Sequence, residues 1–511
     1  MPEPAARPSA LVGVAAAAVA LGVTQLAAVP FGPGADSLTA VGSTVIDLTP
    51  GPVKEAAIQL FGTADKLAPT IIVLAVIAII AALTGQRERG RIPLGSIAIG
   101  LAGVAGCAAV LTRAGTAWVD VVPTLVGTVC GIAVLRLLVS GRFTDATPDT
   151  ADAEPDRGRR LSLITVGLLA AGVVTGVAGT VLNRLRSSVA GDRDAFALPS
   201  AATTAAPVPA AAQPNGVALP PFITPNDDFY RIDTALSVPQ VSRDEWRLRI
   251  HGMVDRELEF GFGELDRFEV IEKVVTLTCV SNPVGGELIS NAKWTGYRVR
   301  DLLAQAGVRP EADMVLSKSI DGFTAGTPVE ALTDDRESLL AIGMNDVPLP
   351  TEHGYPARLV VPGLYGYVSA TKWVVDLEVT RFDRAQAYWT RLGWSARGPI
   401  KTESRIDVPR SGQDVSRGPV TFGGVAWAQN RGVRDVEVSV DDGDWRPADL
   451  GEEYSNETWR LWSFQWQADD PGPHKIRVRA TDGTGAVQTS DQAGVVPDGA
   501  TGWHTVSFAV K

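Results

Sequence analysis

Histidine is scarce. The 511-residue chain has four, and none precedes His251, which excludes a bis-histidine haem from everything before it. Cysteine is rarer still. Cys107 and Cys130 lie in apolar segments and read as small packing residues. Cys279 is the only thiol in the rest of the chain, so the C-terminal region cannot form an inter-sheet disulfide. An excess of positive charge is also missing. The net charge of −11 argues against a nucleic-acid partner, which would want a basic face.

The chain is long enough for about three domains, and its halves differ. Residues 1–190 are rich in Ala, Val, Leu, Ile and Gly, whereas the remainder holds eleven of the twelve tryptophans and every histidine. Five apolar segments are long enough to span a bilayer: Ala10–Phe31, Leu67–Thr84, Ile92–Leu111, Trp118–Val139 and Leu161–Leu182. The first is Ala-rich, broken by Pro30, and lacks a clear leader-cleavage pattern. An apolar part of the 32–66 loop reads as a surface-lying stretch. Arg87, Arg89 and Arg91 follow the second segment, and Arg142, Arg157, Arg159 and Arg160 follow the fourth, whereas the alternate short loop has only Arg113. The positive-inside rule then puts the amino terminus in the cytoplasm and everything after Leu182 outside the cytoplasmic membrane. The paired Arg159–Arg160 ahead of a Gly-rich apolar run also resembles a twin-arginine export signal, with ordinary topology arginines as the equal alternative.

The expected organisation is a multi-span α-helical membrane region (1–187), an Ala/Pro-rich linker (188–220), an α+β domain (221–409) and an all-β sandwich (410–511). In the last, Val436, Val438 and Val440 alternate with polar residues, as do Trp462, Phe464 and Trp466, and Ile476, Val478 and Ala480. Turn sequences such as DDGDW separate these strands, a rhythm that fits an immunoglobulin-like fold. Trp459 and Trp462 have two readings, exposed contact anchors or core filling.

The α+β region is organised around VTLTCVSNPVGG, Val275–Gly286. Val274–Cys279 reads as a buried strand, and Ser281, Asn282, Pro283 and the two glycines break it into a tight loop. A thiol at a strand mouth, followed by small residues, suits a soft metal or a close-approaching cofactor, with a small core residue as the plainer reading. Trp246–Val254 reads as a half-buried strand with His251 on its polar face, a surface or structural histidine. Trp294–Leu303 with the AQAGV that follows suggests a short helix, and Met314–Gly326 a strand and loop. Arg358–Val361 and Trp373–Val379 read as strands joined by a Gly/Tyr/Ser loop, which could gather His353, Arg358 and Lys372 as donors to a phosphate.

These pieces resemble the sulfite oxidase family of molybdopterin enzymes over roughly residues 220–511. FYRID (Phe229–Asp233), TCVSN (Thr278–Asn282), HGYPAR (His353–Arg358) and the VVPGLYGYVSATKW loop occur in the family's order, followed by a region like its carboxyl-terminal dimerisation domain. The resemblance implies Cys279 as the molybdenum ligand beside one pterin dithiolene. Asn226 and Arg231 would lie by pterin or metal with Ser281 and Asn282, His353 and Arg358 would hold the pterin and its phosphate, and Ser369, Thr371 and Lys372 would close over it. Arg231 would also be the contact for an anionic substrate. One departure matters. The run after the cysteine, Val280–Val284, has no arginine, whereas sulfite oxidases proper place basic residues there. With no haem domain, electrons would pass to a separate redox partner. The expected activity is two-electron oxo transfer at the outer membrane face, on a sulfite-like oxyanion or in reverse on an S- or N-oxide such as methionine sulfoxide. The alternative of another class is a cofactor-free binding or sensor module. A homodimer through the sandwich is the implied assembly.

Overall fold

The computed structural model describes residues 10–50, 53, 67–113, 116–140 and 154–511. It divides into two compact units, Met1–Ser188 with Thr234–Val238, and Val189–Asp233 with Pro239–Lys511.

In the first unit the apolar runs become helices: α1 (Ala10–Ala28), α2 (Ser37–Leu48), α3 (Leu67–Gly85), α4 (Leu94–Leu111), α5 (Val122–Val139) and α6 (Glu154–Ser187). Among the described residues, four helices are long and apolar enough to cross a membrane: Ala10–Ala28, Leu94–Leu111, Trp118–Val139 and Arg160–Asp194. The expected second span forms α3, whose Ile71–Gly85 part counts as a shorter apolar helix. Helix α6 starts at Glu154, ahead of the expected Leu161, so Arg157, Arg159 and Arg160 fall on it; Arg142 lies outside the described residues. Much of the 32–66 loop is outside them too. Its described part forms α2, capped by the Asp36 carboxylate, which accepts from Leu38 N and Thr39 N. α1 packs against α5 and α6 through small residues. A Cβ on Gly22 would fall 2.1 Å from Gly172 O, so only glycine allows the backbones to approach this closely.

The second unit contains four sheets. In the α+β part, β3 (Val270–Thr278), β4 (Ile289–Arg298), β7 (Leu339–Met344) and β8 (Val347–Pro348) form one sheet, with β9 (Arg358–Val360) paired to β7. The other has the order β2-β1-β10-β5-β6, from β1 (Arg247–Gly252), β2 (Leu258–Gly261), β5 (Met314–Ser319), β6 (Thr324–Pro328) and β10 (Val374–Thr380). The helix expected from Trp294 begins only at Val299. Trp294 itself lies in β4, with Lys273 opposite it on one side and Met344 on the other. Pairing on both edges outweighs the local helical signal here. His251 is half-buried on the polar face of β1 and structural, its Nε2 3.1 Å from Asp376 Oδ1.

The C-terminal part has two sheets. In strand order, one is β11 (Glu403–Val408), β13 (Gly418–Trp427), β17 (Arg460–Ala468) and β16 (Asp449–Leu450), and the other is β12 (Asp414–Val415), β19 (His504–Val510), β18 (Gly472–Asp482), β14 (Val433–Val440) and β15 (Arg446–Pro447). They share a core that includes Phe422, Val436, Trp462, Val478 and Phe508. Trp462 is fully buried, and the buried Trp459 donates through Nε1 to Phe222 O at 3.0 Å. Core filling is thus the correct reading of both, and neither is an exposed anchor.

The stretch expected as a linker packs on the α+β part. Ala202 N donates to Val270 O and Glu272 N to Thr203 O, while Arg193 donates to Pro348 O and Leu349 O. Alanine and proline offer little side chain to bury, which gives the segment a linker-like composition, but strand pairing needs only backbone.

Candidate active site

Strand β3 delivers Cys279 to the end of the first sheet. There the ladder gives way to a turn in which Cys279 N donates to Leu288 O and Asn282 N to Cys279 O. Cys279 is half-buried and unbridged. Burial raises its pKa, opposed by hydrogen bonds from the Ser281 N–H and hydroxyl, so deprotonation here calls for a cation or metal. Asn282 braces the turn: its Oδ1 accepts from Leu288 N at 2.8 Å. Its Nδ2 is buried without a protein partner, a donor left for a ligand. Gly285 has φ +78°, and a Cβ there would lie 2.3 Å from the His504 ring. Only glycine lets the cysteine loop seat against the C-terminal part.

The remaining candidate residues come from three other segments, and Tyr230 feels the charges of both Cys279 and Arg358. Arg358, on β9, is 5% exposed. Its Nη1 donates to His353 O at 3.2 Å, and its guanidinium lies 5.0 Å over the Trp294 ring. Among the described residues it has no carboxylate partner, and burial lowers its pKa to about 10. His353 is buried, its Nε2 3.2 Å from Asn226 O. Burial first, then the charges of Arg358 and Lys372, hold its pKa down to about 4, so the ring is neutral at pH 7. Asn226 in turn accepts from Asn345 Nδ2 at 2.8 Å.

Lys372 Nζ donates to Asp233 Oδ2 at 2.8 Å and to Glu352 O at 3.2 Å, and burial lowers its pKa to about 8. Arg231 Nε donates to the same Asp233 oxygen at 2.9 Å. Sequence reasoning does not single out Asp233. Nor does it single out Tyr230, which stands inside FYRID and stacks on Phe229. The Tyr230 phenol pKa is raised by burial and then by the field of Cys279, with Arg358 opposing. Two expected cofactor contacts are otherwise engaged. Ser369 Oγ donates to Tyr365 O at 2.9 Å, and Thr371 Oγ1 lies 2.7 Å from Ser317 Oγ. Both are fully buried, so these hydroxyls hold the loop rather than face a ligand.

A lone thiol, an unpartnered amide donor and a buried guanidinium lacking a carboxylate fit a thiolate-ligated cofactor that carries an anionic group. That is the arrangement of a cofactor-binding site. The profile described as "Oxidoreductase molybdopterin binding domain" matches residues 235–389. Over 292 residues the chain is 32% identical to human mitochondrial sulfite oxidase, covering 48% of this chain and 53% of that protein. Over 154 residues it is 33% identical to the uncharacterized oxidoreductase YuiH of Bacillus subtilis, covering 30% of this chain and 74% of that one. Among solved structures, the sulfane dehydrogenase SoxCD of Paracoccus pantotrophus matches at 27% identity and a TM-score of 0.46, over 52% of this chain and 75% of that one. The chain belongs to the sulfite oxidase family of molybdopterin-dependent oxidoreductases, whose cofactor is molybdenum bound to molybdopterin. It spans about half the length of the human enzyme.

Proposed function

We propose that this chain is a membrane-anchored molybdopterin oxidoreductase that performs two-electron oxo transfer, with Cys279 as the protein ligand of molybdenum. When bound, the cofactor supplies the two-electron redox change and an exchangeable oxo group. The protein residues bind and orient it. Arg358 gives paired donors to the pterin phosphate, neutral His353 offers a ring nitrogen, and Asn282 Nδ2 and the Ser281 backbone flank the metal side. Asn226 fixes the His353 ring, and Arg231 and Lys372 line the approach. Ser369 and Thr371 hold the closing loop in place.

The apolar helices and the arginine distribution support a catalytic domain outside the cytoplasmic membrane, with electrons exchanged with a separate redox protein. The C-terminal sheets are read as an immunoglobulin-like module that supports a homodimer. The observation that carries the proposal is Arg358, a buried cation without a carboxylate among the described residues, on the same site as the lone thiol. A buried charge left uncompensated is costly, so an anionic ligand belongs there. Metal and pterin analysis of the purified full-length protein tests it. The expected result is about one molybdenum per chain, matching the single thiolate available. Protein that folds and turns over without either component would refute the reading.

A further inference from the structure

We propose that Gln429, Arg405 and His504, all from the C-terminal part, are positioning residues for Cys279. They hold both limbs of the cysteine loop and so fix where its sulfur meets the metal. This rests on the molybdopterin reading above and deepens it.

The loop needs support from outside. Its neck is closed by the bond from Cys279 N to Leu288 O, and Asn282 braces it from within. Yet Ser281, Pro283, Gly285 and Gly286 offer little side chain to pack, and the glycines leave the backbone conformationally free. Holding a metal ligand in one place takes contacts from the residues around it.

The C-terminal part supplies those contacts. On the strand that enters the loop, Gln429 Nε2 donates to Thr276 O at 3.3 Å and to Thr278 Oγ1 at 3.2 Å. Gln429 sits in the turn just after β13 and is fully buried. Thr276 is gripped again by the chain before β17: its N donates to Glu457 O at 3.1 Å, and its Oγ1 accepts from Trp459 N at 2.8 Å. On the limb that leaves the loop apex, Arg405 of β11 donates through Nη1 to Gly286 O at 2.9 Å. Its Nε lies 2.8 Å from Asp407 Oδ1, so the charge placed there is balanced. His504, the first residue of β19, stands against Gly285. Its Nδ1 accepts from Ile406 N at 3.0 Å, which fixes the ring and leaves its hydrogen on Nε2, the edge beside Gly285. Buried polar side chains are costly unless partnered, and Gln429 and Arg405 both find partners on the limbs of this one loop. The supports come from both C-terminal sheets, β11 and β13 from one and β19 from the other.

The experiment uses full-length, cofactor-loaded protein in detergent. It reads two properties of the bound metal: the midpoint potential by redox titration, and the rate of molybdenum loss on dialysis at fixed temperature. Gln429→Met keeps much of the shape but removes both donors. It should lose molybdenum about tenfold faster than wild type and shift the potential, as when an outer partner of a metal ligand is removed. Phe508→Leu lies in the core shared by the two sheets, opposite His474. It should lower the unfolding midpoint yet keep the wild-type potential and loss rate. Wild-type values of both properties in Gln429→Met, or equal changes in Phe508→Leu, would overturn the inference. Should Gln429→Met fail to fold, Arg405→Lys, which keeps the charge but not the fork, gives the same comparison with the same outcomes. Protein that holds no molybdenum sinks both readings, whereas loaded protein whose metal is indifferent to these variants sinks only this one.

Discussion

The Tyr355 hydroxyl donates to Asp192 Oδ2 at 2.7 Å, joining the HGYPAR loop to the segment that follows the last long helix. Arg243 holds the same carboxylate through Nη2 to Oδ1 at 2.8 Å and through its backbone N to Oδ2 at 3.0 Å. Tyr355 stands between His353 and Arg358 in sequence, so the tie braces the loop that carries both. Tyr355→Phe should lower stability by about 1.5–3 kcal/mol, the usual worth of a hydrogen bond to a charged group, and should loosen pterin retention. Urea unfolding followed by tryptophan fluorescence, with pterin content measured in parallel, checks both effects.

Arg358→Ala should purify with much less pterin than wild type, and Arg358→Lys should restore only part of it. A guanidinium fork offers paired charge-assisted bonds, whereas an ammonium is a point charge. Equal pterin in all three proteins would remove the phosphate role.

Gly285→Ala should displace the cysteine loop. The position combines φ +78° with a Cβ only 2.3 Å from the His504 ring, and strain of this kind costs about 1–3 kcal/mol even before the clash. Loss of stability together with loss of bound molybdenum is the expected result. An unchanged unfolding midpoint would show that the loop is softer than argued.

Stability should fall as pH drops from about 7 to about 4. His353 and His504 are each held down to about 4, chiefly by burial, against an unfolded value near 6.5. Within that window the unfolded chain takes up protons that the folded chain refuses, so acid favours unfolding. Each shift corresponds to about 3 kcal/mol at most. His474, raised chiefly by its hydrogen bond with Asp441, works in the opposite direction. Denaturation midpoints measured across this range should flatten in His504→Asn, since only one strongly depressed ring remains.

The cysteine strand is legible because β-branched residues run unbroken up to Cys279 and small polar residues stop them. The C-terminal strands are legible because apolar and polar residues alternate every second position. Trp294 misleads because β4 is paired on both edges, and such a strand carries no clear alternation. The basic side chains at positions 231, 353, 358 and 372 stand out as donors, but Asp233 does not. A carboxylate among cations reveals its role only when one oxygen is seen to serve both Arg231 and Lys372. Ser369 and Thr371 look like ligand donors because sequence cannot say which way a hydroxyl points. The stretch 188–220 resembles a linker by composition alone, and composition does not report backbone pairing.

The central claim is that the Cys279 thiolate ligates molybdenum, and X-ray absorption at the molybdenum edge tests it most directly. Wild-type protein should show one more sulfur scatterer than Cys279→Ser, and the variant should lose activity or fail to retain metal. Identical sulfur shells with equal activity in the two proteins would contradict the account.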